Sequence, residues 1–97
     1  MTKWPTPYYA VIFTSVLNEN IQGYDEMTDY MMQLVHQQPG FLGVDSARDK
    51  IGITVSYWNS LEAIDNWRTN LQHQSAKNQG KAKWYESYSL KICKVIS

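Results

Sequence analysis

The chain has 97 residues, 43% of them hydrophobic, and nine Lys and Arg balance nine Asp and Glu, so the formal net charge is zero. A chain of this length buries only about two-thirds of its unfolded surface, which predicts a single domain spanning residues 1–97. Its basic residues are scattered, which excludes the electrostatic footprint of a nucleic-acid-binding protein.

Cysteine and hydropathy patterns bear on the compartment. Cys93 is the only cysteine, so no internal disulfide can form, and no paired His or second Cys stands at metal-ligand spacing. The apolar run near the N-terminus is broken by polar residues and lacks a signal-peptide cleavage site. No apolar stretch approaches the roughly 18 residues that span a bilayer. We therefore expect a cytoplasmic protein with no membrane partner.

The first half of the chain predicts a strand followed by a helix. Residues 8–17 are rich in β-branched and aromatic types and end at the polar sequence "NEN". Apolar residues then recur with helical spacing over residues 24–35. This helix should stop near Gln38, because Pro39 disfavours the α conformation of the residue before it.

Two further strands are predicted at residues 41–47 and 51–58, joined by a turn around Asp49 and Lys50. The second of these alternates between two different faces. One face is predicted to belong to the core, and the other carries small residues and one tryptophan. The first face holds Ile51, Ile53, Val55 and Tyr57, and the second holds Gly52, Thr54, Ser56 and Trp58.

A second helix and a last strand complete the pattern. Asn59 and Glu62 resemble a capping box, and the helix should end before Gly80. The last strand is predicted at residues 83–96. The order β-α-β-β-α-β predicts a ferredoxin-like α+β fold, with a four-stranded antiparallel sheet and two helices on one face. An uncovered sheet face with large residues such as tyrosines and tryptophans predicts a homodimer through that face.

Trp67 and His73 lie six positions apart on the second helix, which separates them by about 120° around its axis. Trp67 belongs to an apolar stripe that points at the sheet, whereas His73 falls on a polar flank. Spacing alone thus predicts a core or pocket-wall tryptophan and a solvated histidine. His36 lies in the last turn of the first helix, where the helix dipole favours a cation and no further role is needed.

The segments "QQPGFLGVDSARD" and "GITVSYWNSLEAIDNWRTNLQH" resemble the antibiotic biosynthesis monooxygenase (ABM) family of dimeric α+β barrel proteins. The likeness lies in Pro-Gly-Phe opening the second strand, "YW" closing the third, and S-x-E-A leading to Trp67, and it covers residues 8–95. It implies a monomer that pairs through its sheet, with a ligand pocket between helices and sheet. Members include cofactor-independent oxygenases of aromatic polyketides and quinols and haem-degrading monooxygenases, so membership does not select an activity.

The haem-degrading members resemble the chain at Trp67 but differ at two other positions. They bind iron through a histidine where this chain has Lys77, and they carry an asparagine near the position of Phe13. A protonated lysine is a poor iron ligand. Haem degradation is therefore disfavoured, and with no phosphate-binding glycine loop in the sequence we expect no cofactor.

The polyketide-type oxygenases keep the tryptophan and carry a polar aromatic residue where this chain has His73. This resemblance implies a catalytic pair, with Trp67 as a platform and His73 as base or hydrogen-bond partner. We expect a small aromatic or quinol-like ligand in the pocket. The predicted pocket residues are Trp67, Phe13, Tyr57 and Trp58. Two alternatives stay open: a non-catalytic small-molecule-binding protein, or aromatics that only fill a small core.

Overall fold

The computed structural model describes residues 4–77 and 84–97, with side chains described for 4–71 and 84–97. The elements are β1 (Tyr8–Leu17), α1 (Tyr24–Val35), β2 (Phe41–Arg48), β3 (Gly52–Trp58), α2 (Leu61–Lys77) and β4 (Tyr85–Val95). The strands form one antiparallel sheet in the order β2-β3-β1-β4. This confirms the predicted ferredoxin-like α+β fold. In the described part of the chain, no helix is both long and apolar enough to cross a membrane.

The predicted element bounds need small corrections. α1 ends at Val35 instead of near Gln38, because tighter bonds close its end: Gln38 donates from its backbone N–H to the Val35 carbonyl at 3.0 Å. β2 reaches Arg48 and β3 begins at Gly52, with the turn closed by Asp49 N–H donating to the Ile51 carbonyl at 3.2 Å. β4 begins at Tyr85, and the predicted start at residue 83 lies outside the described residues.

The cap of α2 is Ser60, one residue later than the predicted Asn59. Ser60 Oγ accepts a hydrogen bond from the Ala63 N–H at 3.1 Å, which satisfies a free donor of the first turn. Asn59 instead contacts the turn before β2, donating its backbone N–H to the Gly40 carbonyl at 2.8 Å. A Cβ at Gly40 would lie 2.5 Å from Asn59 Oδ1 and 2.6 Å from the Ala63 Cβ, so only glycine permits this approach.

Trp58, at the end of β3, is the centre of the core and is fully buried. Its ring meets the edge of Phe41 at a centroid distance of 5.4 Å, and its indole N–H donates to Ser56 Oγ at 2.9 Å. It packs against residues of both helices: Val35 from α1, and Ala63 and Ile64 from α2. Both helices are therefore anchored to the sheet at this end of β3.

The helices cover the face of β3 opposite to the one that was predicted to belong to the core. The face that the helices cover carries Trp58 and the small residues Thr54 and Ser56. The face with the larger side chains is turned away from the helices, and Ile53 on it is 45% exposed. Trp58 alone supplies the bulk on the covered face. The small residues beside it leave space between sheet and helices.

Replacing Ser60 by Ala tests the observed cap. We expect the free energy of unfolding to fall by about 1 kcal/mol, because the Ala63 N–H loses its acceptor, whereas Ser60→Asp should keep most of the stability. Urea unfolding followed by circular dichroism measures both. Asn59→Ala is the matched control and should cost clearly less than Ser60→Ala; the reverse order would restore Asn59 as the cap.

Candidate ligand pocket

A cavity of about 310 Å³ lies between the sheet and the two helices. A cavity of about 150 Å³ admits a benzene ring, so this one has room for roughly two fused rings. All four strands contribute to its floor, and the lining is mostly apolar. Among the described residues that line it there is no Asp, Glu or His. The floor residues are Val11, Phe13, Val44, Arg48, Thr54, Ser56, Tyr85, Leu90 and Ile92.

Trp67 forms the centre of the α2 wall. Ile64 and Leu71 lie three positions before it and four after it, which puts all three on one side of the helix. The Trp67 ring stacks beside the buried Trp58, with centroids 6.3 Å apart and planes inclined by 29°. Trp67 is half-buried, so one side of the ring is held by the core while the residue also lines the cavity.

Methionines form much of the α1 wall. Met27, Met31 and Met32 line the cavity, together with Tyr24 at the start of the helix. Methionine is unbranched and has three rotatable bonds, so it fills irregular spaces and adapts to what lies beside it. This wall can therefore follow the outline of a ligand more easily than the sheet can.

Arg48 lies across the sheet at the other end of the pocket from Trp58. Its guanidinium donates to Ser15 Oγ at 2.5 Å and to the Ser15 carbonyl at 3.3 Å. Gly52 is the register partner of both residues, so Arg48 must pass over it to reach Ser15. A Cβ at Gly52 would overlap the Arg48 guanidinium. Because Gly52 has no side chain, the Arg48 guanidinium can lie over it on the pocket floor and reach Ser15.

The positive charge of Arg48 has no carboxylate partner in the described part of the chain, where the one ion pair joins Arg68 to Asp65 at 2.9 Å. The side chains outside that part, 1–3 and 72–83, include no Asp or Glu. Arg68 also lines the pocket, but Asp65 balances its charge. Arg48 therefore gives the pocket an uncompensated positive charge.

Two tyrosines lie near this polar end. The rings of Tyr24 and Tyr85 are 6.1 Å apart, and Tyr85 also meets the edge of Phe13 at 5.3 Å. Burial raises the pKa of the Tyr85 phenol well above its usual value, the neighbouring Tyr24 adds to the rise, and Arg48 opposes it. Tyr85 consequently keeps its proton at neutral pH and can act there as a hydrogen-bond donor.

The structure brings together only some of the residues predicted for the pocket. Phe13 and Trp67 both line it. Trp58 is buried beneath Trp67 in the core. Tyr57 lies on the opposite face of the sheet, because successive strand residues alternate; its hydroxyl donates to Asp45 Oδ2 at 2.9 Å. The backbone of His73 belongs to α2, but its side chain lies outside the described residues.

Comparison with known proteins identifies the family. Residues 7–79 match the family model described as "Antibiotic biosynthesis monooxygenase". The chain belongs to the antibiotic biosynthesis monooxygenase family. It is also 53% identical over 98 residues to the uncharacterized protein YqjZ of Bacillus subtilis (strain 168), covering 98% of this chain and 86% of that protein.

Solved structures share the fold of this ABM-family chain at low sequence identity. Rv0793 of Mycobacterium tuberculosis superposes with a TM-score of 0.75 at 13% identity, covering 93% of this chain and 96% of that one. SnoaB, a cofactor-independent oxygenase from Streptomyces nogalater, superposes with a TM-score of 0.72 at 10% identity, covering 95% of this chain and 96% of that one. At such identities the likeness establishes the shared fold.

Gly52→Ala tests the path of Arg48 across the sheet. We expect it to lower the free energy of unfolding by about 1–3 kcal/mol, because the new methyl group displaces the flexible end of Arg48 and leaves the buried Ser15 without this hydrogen-bond donor. In an Arg48→Ala background the same substitution should cost much less, since the overlapping group is gone. Chemical denaturation of the four proteins measures the coupling. Equal costs in the two backgrounds would show that Arg48 is not what excludes a side chain at Gly52.

Proposed function

We propose that this ABM-family protein is a cofactor-independent monooxygenase that acts on a small, flat aromatic or quinol-like molecule. The observation that carries the proposal is the mostly apolar cavity beside Trp67, whose size suits a fused-ring compound. Family membership supports an oxygenase chemistry, and the fold shared with SnoaB supports one that proceeds without a cofactor.

In the proposed reaction the substrate itself reduces oxygen. Loss of a proton turns an aromatic ketone or phenol into an electron-rich anion, which transfers electrons to O₂. When a ring methylene becomes a carbonyl, one oxygen atom enters the product and the other leaves as water, and the substrate supplies all four electrons. The tasks of the protein are to hold the ring, assist removal of the proton and stabilise the anion.

The pocket offers residues for each of these tasks. We propose that Trp67 holds the ring by stacking, since its own position is fixed by contact with Trp58. Tyr85, which keeps its proton, would donate a hydrogen bond to the developing oxyanion. The base proposed for the first step is His73, from the resemblance to the polyketide-type oxygenases.

Two other functions compete with this proposal. A non-catalytic ligand-binding protein would use the same cavity without consuming oxygen. A haem-degrading enzyme would need an iron ligand on α2, where this chain has Lys77. It would also have the large ring of Phe13 on the pocket floor, where the haem-degrading members carry an asparagine. Of the two, ligand binding without catalysis fits the apolar lining better.

Oxygen consumption with a panel of hydroquinones and anthrone-like compounds tests the oxygenase. We expect uptake with at least one compound, and we expect His73→Ala to slow turnover by about a hundredfold or more if His73 is the base. His36→Ala is the matched control. Its Nδ1–H donates to the Met32 carbonyl at 2.6 Å and its ring meets Phe41, so it should turn over at the wild-type rate.

Other outcomes would select a different function. No uptake with any compound would leave the ligand-binding protein as the better description. Tight haem binding, followed by loss of the Soret band on adding a reductant, would establish the haem-degrading alternative. An unchanged rate in His73→Ala with normal wild-type uptake would keep the oxygenase and remove His73 as its base.

We further propose that the protein is a homodimer that pairs through the sheet face away from the helices. β3 presents Ile53, Val55 and Tyr57 there, and Trp4 lies against Tyr57 at a centroid distance of 5.1 Å. A sheet face with large apolar side chains is stabilised when a second layer removes it from water. Two copies pairing by a twofold axis would provide this layer.

Ile53→Glu tests the dimer. Wild-type protein should have the mass of two chains by light scattering at micromolar concentration, and Ile53→Glu should have the mass of one, because the interface would have to bury a carboxylate. Tyr30→Glu is the matched control: Tyr30 is similarly exposed, at 44%, but lies on α1. A monomeric wild-type protein, or dissociation by Tyr30→Glu alone, would contradict the proposed interface.

A further inference from the structure

The anchoring of Arg48 leaves part of its guanidinium free for another partner. Two of its N–H groups are engaged by Ser15, which is 1% exposed and bears no charge. A guanidinium has five N–H donors in a planar fork that matches a carboxylate. Ser15 therefore fixes where the arginine lies without neutralising it.

Arg48 is exposed, so its remaining N–H groups are open to water and to any ligand that enters the pocket. No described Asp or Glu lines the pocket, and the residues whose side chains are not described include none. No carboxylate of this chain therefore balances Arg48 in the cavity. An anion from outside the chain would provide the missing partner.

The polar and apolar parts of the pocket lie at different ends of the sheet. Trp58 and the core mark one end of β3, and Gly52, over which Arg48 passes, is the first residue at the other. Phe13 pairs with Thr54 between these ends, and Trp67 lines the pocket beside Trp58. A flat ring in the middle of the cavity could thus place a substituent near Arg48.

We propose that the pocket binds its ligand as an aromatic anion, with the ring beside Trp67 and the negative charge on Arg48. This inference rests on the proposed function, and it narrows the substrate to compounds with a group that is ionised at neutral pH, a carboxylate or an acidic phenol. Arg48 is then a binding residue that selects the charged form. Its positive charge also favours an anion that forms by proton loss within the site.

Calorimetric titration under nitrogen measures binding apart from turnover. The probes are 2-naphthoate, the neutral and nearly isosteric 2-naphthamide, and 4-nitro-1-naphthol, whose hydroxyl ionises at neutral pH. We expect wild-type protein to bind naphthoate at least about tenfold more tightly than the amide, since a hydrogen bond to a charged group outweighs a neutral one. Comparing naphthoate with the nitronaphthol shows which anion the site prefers.

Arg48→Met should remove this preference while leaving the affinity for the amide nearly unchanged. Arg48→Lys should keep part of it, because the charge remains but the fork is lost. Lys50→Met is the matched control: it removes a cation from the exposed turn after β2 and should leave the preference as in wild type. Thermal unfolding identifies a variant that fails to fold, in which case the wild-type comparison of naphthoate with the amide decides.

The inference is overturned if wild-type protein binds the amide as tightly as naphthoate, or if folded Arg48→Met retains the preference. Loss of the preference in Arg68→Met alone would move the site to the other arginine and likewise overturn it. The anion preference and the oxygenase can fail separately. Selective anion binding without oxygen uptake would refute only the oxygenase, and uptake with neutral substrates bound as tightly as anions would refute only the role of Arg48.

Discussion

The burial of Trp58 between the sheet and both helices is the contact on which the rest of the structure depends. One large ring on the covered face of β3 gathers Val35 from α1 and Ala63 and Ile64 from α2. Since the same face carries only the small residues Gly52, Thr54 and Ser56 beyond it, the helices are supported at one end and the cavity opens next to that support. The core thus forms where β3 carries its large residue, and the pocket forms where β3 carries its small ones.

Much of the fold could be predicted from the sequence because its signals are local. Strand alternation, helical spacing and Pro39 define the elements and their order without reference to distant residues. The choice between Asn59 and Ser60 as cap could not be made this way, because both residue types cap helices and the approach of Gly40 decides it. Alternation likewise separates the two faces of β3 but does not say which one the helices cover.

Site residues that lie on one face of a helix could be predicted from their spacing. Site residues that meet across the sheet could not, because their contact depends on how the strands are paired. The apolar stripe of α2 placed Trp67 on the pocket wall, but Arg48 and Ser15 are 33 positions apart and meet only across three paired strands. Two weak signals stood in the sequence: a glycine inside a strand, which marks close approach of other groups, and a serine inside an apolar run. Neither signal shows which residue lies opposite it until the order and register of the strands are known.

The methionines of α1 give the pocket one compliant side and one stiff one. The floor is a sheet whose backbone is held by its hydrogen-bonded pairing, while Met27, Met31 and Met32 can change rotamers without moving the helix. Compounds of different outline can therefore occupy the cavity with little loss of contact. A ligand-binding protein with one such adaptable wall discriminates poorly by shape, and it can acquire new ligands through changes in its polar contacts while its fold stays the same.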